Sequence, residues 1–144
     1  MSVSEVEQDE YAKNVQDYAD QAVTAVQQQA FDVAATIWES ILDDEDMRSL
    51  YDEDSTAHMR ARADWARGFE QAWAGNFEAA AERWQRVVDT GSADTWFGSD
   101  GAQELSYNLA LAYTRAGNPD KAETALAGLS ESEQAEIRAA AGDA

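Results

Sequence analysis

Three stretches of this chain repeat one spacing of small and large apolar residues. AFDVAATIWESIL (30–42) carries Ala34, Trp38 and Ile41, and GNFEAAAERWQRVV (75–88) carries Ala80, Trp84 and Val87. NPDKAETALAGL (118–129) carries Ala122, Leu126 and Leu129. The i, i+4, i+7 spacing places each set on one face of a helix. The anchoring alanines are 46 residues apart (Ala34 to Ala80) and then 42 (Ala80 to Ala122). Just before the third stretch, SYNLALAYTRAG (106–117) sets Leu109, Ala110 and Tyr113 on one face and ends in Gly117. A small residue inside an apolar stripe lets two helices approach closely while larger neighbours fill the sides. The pattern predicts an all-α chain of antiparallel helix pairs.

The series Leu109-Ala110-x-x-Tyr113 followed by Ala122-x-x-x-Leu126 resembles the tetratricopeptide repeat, W-x₂-L-G-x₂-Y followed by A-x₃-F. Ser106 stands at the leading Trp position, and the closing Pro is missing. The family period is about 34 residues, so extra residues fall in DDEDMRSLYDED and GSADTWFGSDG, between helix pairs, where a stacked array tolerates insertion. The resemblance implies one domain over residues 1–144, a right-handed α-solenoid of about three degenerate repeats. Its helix pairs would span about 4–42, 56–89 and 103–129, with a C-terminal capping helix at 131–141. In the first pair Gln29 occupies the place of the expected turn glycine.

Local signals set the expected boundaries. Ser2 with Glu5 forms a capping box for a first helix over 4–29. In the acidic stretch 43–55, Met47, Leu50 and Tyr51 are expected to pin a short helix. Ser55 or Thr56 would cap the third long helix, Gly75 would end it, and Asn76 would cap the fourth. DTGSADTWFGSDGAQ (89–103), with three glycines, is expected to be a long loop. Asn118 precedes Pro119 at the first helical position, and Ser130 with Glu133 makes a second capping box. For the third helix, the register that buries Trp65, Phe69 and Ala72 keeps the polar line Asp64, Arg67, Gln71 out of the core.

Charge narrows the function. The chain holds 29 acids against 10 bases, a net charge of −19. Such a field repels phosphate backbones and anionic lipid, which argues against nucleic-acid or membrane partners. Cysteine is absent, removing disulfides, thiolate ligands and thiol nucleophiles. The N-terminus is acidic and lacks the apolar core of a secretory signal, and no apolar run reaches spanning length, so a cytoplasmic setting is expected. His58 is the only histidine and reads as a surface residue. No phosphate loop, nucleophile elbow or EF-hand pattern occurs, so no catalytic residue, metal or cofactor is expected.

The resemblance implies a concave face carrying Asp20 and Val23, then Arg67, Glu70 and Trp73, then Tyr107, Asn108 and Leu111. Such a face suits an extended peptide or partner helix, so the leading expectation is a non-catalytic adaptor, scaffold or co-chaperone-like module. Arg67, Trp73, Tyr107, Asn108 and Leu111 are its candidate contacts, and Trp96 with Phe97 is a candidate loop anchor. Arg60, Arg62, Arg67, Arg83 and Arg86 form the one basic segment, expected chiefly to pair with acids of neighbouring helices. Unpaired, they would attract an acidic group or a C-terminal carboxylate. Self-association is the second reading, and a small enzyme or ion-binding protein the third.

Residues 1–57 alone carry 15 acids and 2 bases. Mutual repulsion among them is screened by salt, so the melting temperature is expected to rise from dilute buffer to molar salt. A flat or falling midpoint in thermal melts would show that the acids are compensated locally.

Overall fold

The computed structural model describes residues 5–142. Among them, all regular structure is helical: α1 (Glu5–Gln27), α2 (Phe31–Asp43), α3 (Glu45–Arg48), α4 (Glu53–Trp73), α5 (Phe77–Asp89), α6 (Ala93–Arg115), α7 (Pro119–Leu126) and α8 (Glu131–Gly142). The chain up to Ala66 forms one compact unit and the chain from Arg67 a second, so α4 contributes to both.

One local device occurs three times. Gln29, Gly75 and Gly117 take φ of 61°, 84° and 77°, the left-handed conformation that closes a helix. The next residue reaches back five positions: Ala30 N–H to Ala25 O (2.8 Å), Asn76 N–H to Gln71 O (2.8 Å) and Asn118 N–H to Tyr113 O (2.9 Å). That same residue leads into the following helix, its carbonyl accepting from the N–H of Ala34, Ala80 or Ala122 at 3.1, 3.0 and 3.1 Å. The turn therefore fixes where each anchoring alanine falls, and all three are buried.

In the first unit α1 packs along α2. Val15, Ala19, Ala22 and Ala25 are buried on α1, and Phe31, Ala34, Ala35, Trp38 and Ile41 on α2. From α4, Met59, Ala63 and Ala66 enter the core, and Trp65 meets Phe31 edge-on with centroids 5.4 Å apart. Asp44 caps α3 by accepting from Met47 N–H (3.0 Å). Met47 and Tyr51 are half-buried, but Leu50 lies in solvent and does not help pin this segment.

In the second unit α6 is the shared partner of α5, α7 and α8. Ala80, Ala81, Trp84 and Val87 of α5 are buried, as are Leu105, Leu109, Ala110 and Tyr113 of α6. Ala110 also joins Leu126, Leu129 and Ile137 in a cluster that docks α8. The end of α4 meets α5 through Phe69 and Trp84, whose rings are edge-on at 5.1 Å. The Trp84 indole lies directly on Gly68, where any Cβ would overlap Nε1, Cε2 and Cδ1. The small residues Ala66 and Gly68 thus take deep positions on α4, and Trp65 and Phe69 stay half-buried beside them.

Several expected boundaries change. The loop expected over 89–103 is helical from Ala93, because α6 begins there and is broken only at Gly98 (φ 77°, ψ 166°). Trp96 N–H already bonds to Ser92 O (3.0 Å), so one glycine interrupts the helix where three suggested a loop. The cap of α4 is Asp52, not Ser55 or Thr56. Its carboxylate accepts from Ser55 N–H (2.7 Å), and this bond holds its pKa below the usual carboxylate value. Asn76 leads into α5, yet its side-chain amide donates to Gln71 Oε1 (3.0 Å) and does not cap. Asn118 caps α7 at Lys121 N–H (3.3 Å). Ser130 and Glu133 form the reciprocal box on α8, with Glu133 also accepting from Gln103 (2.7 Å). The Ser2–Glu5 box lies partly outside the described residues.

Two sets of substitutions test this packing. A left-handed conformation costs a side-chain-bearing residue roughly 1 kcal/mol. Gln29→Gly is therefore expected to raise stability, and Gly117→Ala to lower it by about that amount, in chemical denaturation. Ala80→Leu and Ala122→Leu are each expected to cost roughly 1–3 kcal/mol through overpacking. Unchanged midpoints in both alanine variants would mean that these helices do not approach closely there.

Candidate functional site

In the second unit the end of α4, the start of α5 and the second half of α6 surround an open cleft of about 230 Å³. Its floor is aromatic. Phe69 contacts Trp84 edge-on, and Trp73 lies 6.5 Å from Phe69 in a tilted arrangement. Trp73 is 62% exposed, an unusual state for an indole on a helix end. Phe77 forms another wall, with the Arg115 guanidinium 5.5 Å above its ring. Leu111 and the Asn108 amide complete the α6 side. Arg115 is the one charged residue among the lining side chains.

Three of the five residues expected on a binding face line this cleft: Trp73, Asn108 and Leu111. The geometry of the other two differs. Arg67 is held on α4 by Glu70, Nη1 to Oε2 at 3.0 Å, an ion pair between positions three apart. Tyr107 packs its ring against the Ala110–Leu126–Leu129–Ile137 cluster and donates its hydroxyl to Glu136 Oε2 (3.1 Å). Burial, then the Glu136 carboxylate, raises the phenol's pKa. Trp96 and Phe97 sit in the first turns of α6 and are half-buried, so they do not project as the tips of a loop.

Sequence patterning did not point to Phe77 or Arg115. A signal existed for Arg115, which follows Asn108 by seven positions and Leu111 by four and so shares their helical face. Phe77 follows the Gly75–Asn76 turn, and only the turn geometry shows that it faces α6.

Of the other expected face residues, Glu70 is the ion-pair partner of Arg67, and Asp20 and Val23 line a smaller cleft of about 200 Å³ within the first unit. Among the described residues no group of three His, Cys, Asp or Glu side chains could hold a metal ion, and no helix is long and apolar enough to cross a membrane. Protein-family models, curated proteins and solved structures give no match to this chain.

Proposed function

We propose that the chain is a non-catalytic, cytoplasmic protein-interaction module of tetratricopeptide-like construction, and that the Trp73 cleft receives an apolar side chain from a peptide or partner helix. The exposure of Trp73 at the mouth of an aromatic cleft carries this reading. An indole left in solvent gives up stabilisation that burial would supply, and large rigid aromatics dominate the energetics of protein interfaces. The Asn108 amide and the Arg115 guanidinium offer hydrogen bonds to a backbone or carboxylate beside that side chain. Arg115 takes the role that the sequence suggested for Arg67, whose charge is already answered by Glu70. The recurring turn and its buried alanine favour a repeat construction, since the same turn hydrogen bonds precede Ala34, Ala80 and Ala122.

The test uses a partner recovered from the native host and measures its affinity for the purified chain. Trp73→Ala is expected to weaken binding by about thirtyfold or more, the loss typical of a central aromatic contact. Asn108→Ala and Arg115→Ala should each weaken it several-fold, and Trp96→Ala should leave it unchanged. Equal affinity for wild type and Trp73→Ala, both folded, would place recognition elsewhere on the chain.

A further inference from the structure

The first unit holds a charge that the interaction reading does not use. Arg62, on α4, is half-buried in the cleft that Asp20 and Val23 line from α1. Its guanidinium is oriented by two contacts: Nε–H donates to His58 Nε2 (3.0 Å), and the Trp38 ring centroid lies 6.0 Å away. These are the described partners of that group, and neither is a carboxylate. Burial lowers its pKa. A partly desolvated cation without a counter-charge is costly, and a protein full of acids had many ways to supply one. With Nε occupied by His58, the two terminal nitrogens remain as a fork suited to a planar carboxylate.

The same cleft holds a charge of the opposite sign. Asp20 accepts from the Gln16 side-chain amide (2.9 Å) but forms no ion pair with Arg62. Tyr51, whose phenol pKa is raised by burial and then by Asp20, and Ser55 add hydroxyls beside it. A guanidinium and a carboxylate in one small cleft, not neutralising each other, are complementary to a ligand that carries both charges. Such a ligand has no net charge and meets no repulsion from a chain at −19. The volume, about 200 Å³, lies below the roughly 300 Å³ at which drug-sized pockets begin. We infer that this cleft binds a small zwitterion of the free amino-acid type, its carboxylate on Arg62 and its ammonium on Asp20.

Calorimetric titration of the full chain with free L-amino acids tests the assignment, with N-acetyl methylamide derivatives, acetate and methylammonium as controls. At least one free amino acid is expected to bind saturably, its capped derivative and the two single-charge probes far more weakly. Arg62→Gln and Asp20→Asn should each weaken binding by about tenfold or more. Asp20 is exposed, so the Asp20→Asn protein is expected to melt like wild type and tests the assignment even if Arg62→Gln does not fold. The assignment is overturned if no free amino acid binds, if acetate binds as well as the zwitterion, or if binding survives Asp20→Asn. A peptide partner lost on Trp73→Ala would be unaffected by these results, so the two readings fail independently.

Discussion

Close approach between helices at positions with little or no side chain is the constraint on which the fold depends. Ala34, Ala80 and Ala110 are fully buried, and Gly68 lies under the Trp84 indole. Packing at these points leaves no room for a larger side chain, so the position of each small residue determines which turns of two helices can face each other. The left-handed turn supplies the register. It places the anchoring alanine four residues beyond the N-cap of each hairpin's second helix, in both units. Large residues then pack where the geometry leaves space, as Trp38 and Trp84 do four positions on. This division of labour explains how an acidic chain with little helix-ending punctuation folds: contacts between small residues set the geometry, and larger apolar residues such as Trp38, Ile41, Trp84 and Leu105 fill the space between them.

The clefts follow from the same packing. Where the end of α4 meets α5 and α6, Gly68 admits Trp84, Trp84 supports Phe69, and Phe69 lies beneath Trp73. Trp73 belongs to the last turn of α4 and has no further turn to cover it, so its indole stays exposed. In the first unit, His58 and Trp38 hold Arg62 in place. The five arginines of the basic segment therefore differ in role. Arg67 makes a local ion pair, and Arg62 is oriented into a cleft beside the residues expected on a concave face.

Much of the helical fold was legible in the sequence because its signals are local. The three alanine anchors, the Asn118–Pro119 start and the Ser130–Glu133 box depend on spacing and capping chemistry, which a sequence displays directly. The segments that differ from expectation depend on competition. Residues 89–103 have the composition of a loop, yet Gly98 alone takes a non-helical conformation inside α6. At the start of α4, Asp52 captures the Ser55 N–H that a Ser55 or Thr56 cap would have left outside the helix. For the candidate site, it was the tetratricopeptide resemblance that implied a common face for Trp73, Asn108 and Leu111, which line one cleft. It could not place Tyr107, whose hydroxyl is claimed by Glu136, 29 residues further along the chain. It also could not show that Arg62 is oriented by His58, since a half-buried charge depends on the shape around it.

A double-mutant cycle at Gly68 and Trp84 measures the close contact directly. Gly68→Ala should destabilise the chain by roughly 1–3 kcal/mol because the added methyl group overlaps the indole. Trp84→Leu removes that obstacle at its own cost in buried area. In the double variant the methyl group has room, so its loss should be smaller than the sum of the single losses by about 1 kcal/mol or more, read from chemical denaturation midpoints. Strictly additive losses would contradict the close packing of Trp84 on Gly68 and, with it, the role of small residues in setting how the helices meet.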